Sequence, residues 1–62
     1  MSAKRKVKDA LSAVEDALSA LRRAEQAAPD NPDIRRAISE LRDAETLLER
    51  AAREVRRLES ES

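Results

Sequence analysis

Alanine recurs every seven residues along two stretches of the chain, at Ala3, Ala10, Ala17 and Ala24 and again at Ala37, Ala44 and Ala51. Bulky aliphatics keep the same period beside them: Val7, Val14 and Leu21 in the first stretch, Ile34, Leu41, Leu48 and Val55 in the second. Apolar residues spaced three and four apart line one face of an α-helix. Pro29-Asp30-Asn31-Pro32 divides the two patterns. The spacing predicts helices over about 3–27 and 32–59 with a loop at 28–31, forming a single all-α unit.

Local signals sharpen the ends. The Ser2 hydroxyl is placed to cap the first free N–H groups. Pro29 disfavours a helical conformation at Ala28. Asn31 is a favoured N-cap, Pro32 suits the first helical position, where no N–H is needed, and Asp33 puts negative charge in the first turn. Arg22 and Arg23 are read as cations placed to suit the dipole at the end of the first helix. A loop this short makes the helices antiparallel neighbours.

With Val7 and Ile34 both at heptad position a, the first helix has Ala10, Ala17 and Ala24 at d and Leu11, Leu18 and Glu25 at e. The second has Ala37, Ala44, Ala51 and Leu58 at d and Ile38, Glu45, Ala52 and Glu59 at e. Folding back at residues 29–31 pairs residues whose numbers add to about 62. Val7 then meets Val55, Val14 meets Leu48 and Leu21 meets Leu41, while Leu11 faces Ala51, Leu18 faces Ala44 and Ala24 faces Ile38. Large side chains opposite small ones interdigitate without voids, and alanine lets the axes approach closely.

Further alanines at g (Ala13, Ala20, Ala27) widen the apolar arc of the first helix to roughly 160° at about 100° per residue. Leu47, also at g, widens that of the second. One partner helix covers a narrower seam, so apolar surface is left over. The twelve Leu, Ile and Val residues are few for a chain of 62, and units this small usually need a staple, oligomerisation or very regular packing. Cysteine and histidine are absent, which removes disulfides and ordinary zinc sites. Self-association remains, and its commonest closed form is a two-fold dimer, here a four-helix bundle. The broad stripe is also compatible with a trimer or a larger ring.

Charge narrows the partners. Thirteen basic residues balance thirteen acidic ones, so no overall field attracts a polyanion or an anionic membrane. Residues 1–28 carry six cations and four carboxylates, and residues 29–62 carry seven and nine, which makes the halves slightly complementary. Lys4, Arg5, Lys6 and Lys8 crowd the start of the first helix against its dipole; in an antiparallel hairpin Glu54, Glu59 and Glu61 come alongside to compensate them. As a motif the same cluster reads as a localisation signal or nucleic-acid patch, but in a neutral helical protein such clusters are ordinarily solvated surface. No apolar run approaches the ~20 residues of a membrane span or the ~7–15 of a signal-peptide core. The expectation is a soluble, unprocessed chain, cytoplasmic on expression and with no membrane partner.

Catalytic chemistry finds no purchase. There is no His or Cys to act as base, nucleophile or soft ligand and no glycine for a phosphate loop. Ser12, Ser19 and Ser39 sit at f, the outermost position, with no conventional base to activate them. Glu25 and Glu45 are the carboxylates nearest the seam, yet the Glu-x-x-His pair of carboxylate di-metal bundles is missing. The sequence therefore implies no enzyme, no cofactor, no metal and no small-molecule substrate. Arg50, Arg53, Arg56 and Arg57 resemble a phosphate-binding run. Glu49 and Glu54 interrupt them, with Glu49–Arg53 and Arg50–Glu54 at i,i+4 spacing, and no aromatic is present to stack on a base. The balance favours a solvated face over a nucleic-acid partner.

The architecture of two similar helices, a short turn and alanine/leucine layers resembles the Rop-type RNA-binding hairpins, which dimerise into antiparallel four-helix bundles. Their recognition of RNA uses polar residues and a Phe on the first helix; this chain has no Phe, so that activity maps to no residue here. The helix start Asp30-Asn31-Pro32-Asp33-Ile34 and the run Leu47-Leu48-Glu49-Arg50-Ala51-Ala52-Arg53-Glu54 resemble computationally designed helical bundles and repeats, whose rules are explicit caps, idealised helices and mixed surface charge. That resemblance implies a de novo structural protein whose partner is itself. The alternative it leaves open is a natural Rop-like dimer that binds RNA or a protein through its charged face. On either reading the core and interface residues are Val7, Ala10, Leu11, Val14, Ala17, Leu18, Leu21, Ala24, Ile34, Ala37, Ile38, Leu41, Ala44, Leu47, Leu48, Ala51, Val55 and Leu58.

Overall fold

In the computed structural model, which describes the backbone of residues 2–61 and the side chains of 2–60, two helices fill nearly the whole chain: α1 (Ala3–Ala27) and α2 (Pro32–Glu61). No strand occurs among the described residues. The first three expected boundaries coincide with those observed, whereas α2 runs two residues beyond the expected Glu59. No glycine or proline follows Leu58 to stop it, and the helix continues through Glu59 and Ser60 to Glu61.

Each start is held by the side chain expected to hold it. Ser2 lies in an extended conformation (φ −84°, ψ 150°), and its Oγ accepts from the Arg5 N–H at 3.2 Å. Asn31 does more, its Oδ1 accepting from both the Asp33 and Ile34 N–H groups at 3.0 Å. Two donors satisfied by one amide, beside the Asp33 carboxylate, make the α2 start the better fixed of the two. Asn31→Ala is expected to cost about 1 kcal/mol and to lower the thermal midpoint by roughly 4–8 °C for a domain of this size. Melting followed by circular dichroism checks this; an unchanged midpoint would show that the cap contributes nothing.

The end of α1 explains how the chain turns without glycine. Ala28, forced from the helical region by Pro29, adopts φ −141° and ψ 69°. Its N–H still donates to the carbonyls of Ala24 (3.0 Å) and Glu25 (3.2 Å), and its own carbonyl accepts from the Asn31 N–H at 3.1 Å. No residue has positive φ among those described, so nothing in the turn requires a left-handed residue. The dipole reading of Arg22 and Arg23 is corrected, because the last turn of α1 holds no basic residue. Both arginines lie before Ala24, outside the turn where the dipole acts most strongly.

The helices pack against each other as a flat hairpin with Cα extents of 49 × 17 × 11 Å. The long axis matches the roughly 45 Å expected for the thirty residues of α2 at about 1.5 Å per residue. Arg22 and Glu25 of α1 border the same groove as Arg35, Ile38, Ser39 and Arg42 of α2, which is the register in which paired numbers add to about 62. The molecule is two helices wide and one helix thick. Such a slab encloses little, and among the described residues Leu18 (3% exposed) and Ile38 (9%) alone form the hydrophobic core.

Candidate functional site

The residues that sequence reasoning placed at the core or interface fall into three groups. Leu18 and Ile38 are buried. Val7, Leu11, Val14, Ala17, Leu21, Ala24, Ile34, Ala37, Leu41, Ala44, Leu48, Ala51 and Val55 are half-buried. Ala10, Leu47 and Leu58 stand exposed, the two leucines at 61% and 52%. Leu58 lies in the last turns of α2, near the open end of the hairpin. Leu47 projects from the g flank, outside the seam. Two further alanines, Ala28 at an a position and Ala52 at an e position of the heptad, are also half-buried.

The two broad faces of the slab differ in chemistry. Leu18 and Ile38, the buried pair, are both e residues, and an open groove of about 480 Å³ is lined by Arg22, Glu25, Arg35, Ile38, Ser39, Arg42 and Asp43. Most of these are b and e residues, contributed by both helices. In an antiparallel pair, flanks at the same angular offset from the seam fall on the same side. The b and e flanks therefore share one face, polar and rich in arginine, and the d and g flanks share the other. That second face carries the d alanines, then Ala13, Ala20 and Ala27 from α1 and Leu47 from α2. The half-exposed a residues Val14, Leu21, Leu41 and Leu48 lie along its inner edge. Nothing in a single hairpin covers it.

No protein-family model, curated protein or solved structure matches the chain. The site must be read from its own faces.

Charged residues form no comparable assembly. The ion pairs found among the described residues lie within α2: Arg36–Glu40 at 3.1 Å, between strongly exposed side chains, and Arg57–Glu54. The expected pairs Glu49–Arg53 and Arg50–Glu54 are not formed among those residues; Glu54 turns one helical step onward to Arg57. Exposed pairs of this kind are worth about 0–1 kcal/mol, so rival partners are close in energy. Compensation of Lys4, Arg5, Lys6 and Lys8 by ion pairing to Glu54 is likewise not seen, and the Glu61 side chain invoked for it lies outside the described residues. Arg50, Arg53, Arg56 and Arg57 are all exposed and occupy c, f, b and c, which spreads them around the outside of α2. Sequence reasoning missed the trio Arg22, Arg35 and Arg42, whose shared b position was the available signal. Glu25 and Glu45 are half-buried, one beside the turn and the other midway along α2. No group of three or more acidic side chains suited to a metal ion occurs among the described residues. Ser12, Ser19 and Ser39 are exposed, as their f positions require, and among the described residues no helix is long and apolar enough to cross a membrane.

Proposed function

We propose that this chain is a structural self-assembly module, a helical hairpin of de novo design that pairs with a second copy of itself into a four-helix bundle and catalyses nothing. The observation that carries the reading is the uncovered d/g face beside a core of two buried residues. Its size suits the purpose: a face 49 Å long and 17 Å wide gives a footprint of roughly 800 Å², about what each partner contributes to a standard stable interface. Idealised helices and a side-chain cap at each start support the design origin, because both are rules of designed bundles made visible. Sedimentation equilibrium over a wide concentration range is expected to give a dimer that dissociates on dilution. A fully helical monomer at every concentration would overturn the proposal.

One observation favours a second reading. Arg22, Arg35 and Arg42 share one groove, so a natural Rop-like dimer contacting RNA or an acidic protein through its b/e face is the alternative. Binding at low salt that weakens steeply as salt rises would support it. Absence of binding at low salt would remove it.

A further inference from the structure

Resting on the self-association proposed above, we infer that the two hairpins pair with their turns at the same end of the bundle, α1 of each copy lying on α2 of the other. The argument comes from the g positions that border the uncovered face. In α1 these are Lys6, Ala13, Ala20 and Ala27; in α2 they are Asp33, Glu40, Leu47 and Glu54. Within the observed register Lys6 stands level with Glu54, and Ala13 level with Leu47.

Two arrangements place the uncovered faces together with two-fold symmetry. With the axis along the helices, levels are preserved and each α1 meets the partner's α2. Lys6 then borders the partner's Glu54, and the exposed Leu47 settles against the partner's Ala13, a large side chain on a small one. With the axis across the helices, α2 meets the partner's α2 running the other way. Asp33 is then brought to the partner's Glu54, and Glu40 to the partner's Leu47. Like charges face each other at both ends of that seam, and no alanine receives Leu47. Charge and size therefore agree on the same-end arrangement, since juxtaposed like charges select against a pairing as strongly as good contacts select for one.

A nitroxide at the exposed turn residue, introduced through Asp30→Cys in this cysteine-free chain, measures the orientation directly. The same-end dimer predicts a label separation of about 20 Å, set by axes packed 8–10 Å apart plus the label tethers. A separation approaching the 49 Å length of the hairpin would overturn the inference and leave self-association standing. Loss of dipolar coupling in a sample that sediments as monomer would instead overturn self-association. A charge series gives an independent reading. Glu54→Lys should weaken the same-end dimer roughly threefold to tenfold through its two rim pairs, and adding Lys6→Glu should restore it. In the opposite-end dimer Glu54→Lys would tighten association by relieving the partner's Asp33, and that result would also overturn the inference.

Discussion

Leu18→Ala is expected to remove most of the molecule's stability margin and to lower its thermal midpoint by about 10 °C or more. Among the described residues Leu18, at 3% exposure, is the more deeply buried of the two core side chains, the other being Ile38. Truncating a buried leucine to alanine costs about 2–5 kcal/mol through lost burial and the cavity left behind. A unit below about 70–80 residues rarely draws more than 3–5 kcal/mol from its core, so the loss is comparable to the whole margin. Because the slab is one helix thick, its neighbours can close part of the gap, which places the cost toward the lower half of that range. Even about 2 kcal/mol should lower the thermal midpoint by 10 °C or more. Helical ellipticity against temperature, at fixed protein concentration, reads this out. A midpoint within 3 °C of the parent would mean that stability resides elsewhere, and Ser19→Ala, at an exposed f position beside Leu18, serves as the control.

Leu47→Glu is expected to separate assembly from folding. Leu47 is 61% exposed in the single hairpin, and Leu and Glu have similar helix propensities, so the substitution leaves α2 almost untouched. In a paired bundle the same change removes two leucines from the interface, each worth about 1–2 kcal/mol for the part a partner covers, and desolvates two carboxylates in their place. The dimer should weaken by at least two orders of magnitude, since about 3 kcal/mol exceeds a hundredfold. Sedimentation equilibrium gives the constant and circular dichroism at high concentration tests the fold. An unchanged dissociation constant would exclude the d/g face as the site of pairing.

What could be read from the amino-acid order was set by how local its cause is. Ser2, Asn31, Pro29 and Pro32 act on backbone groups within three residues, and the helix starts and the turn follow from them directly. The end of α2 lacked any such local stop, and the helix ran on to Glu61. The a/d/e stripe was also legible, because a hairpin with a four-residue turn has little choice of partner face. Heptad counting did not reveal that the seam leans toward e, which buries Leu18 and Ile38 and leaves Ala10 exposed. That outcome depends on rotating both helices against each other, which no single residue encodes. Surface ion pairs were the least legible, as the choice of Arg57 over Arg50 by Glu54 shows: exposed partners differ by fractions of a kcal/mol. Arg22, Arg35 and Arg42 became neighbours only once the register was known.

The turn at Ala28 to Asn31 also has a consequence in time. Loops of about ten residues close in roughly 10–100 ns and helices of about twenty residues relax within about a microsecond, so closing a four-residue connection between two helices is itself a fast event. Contacts confined to neighbouring turns and a single fold-back place the hairpin among the fastest topologies. A refolding phase whose rate rises with chain concentration would therefore report the meeting of two hairpins rather than the closing of one.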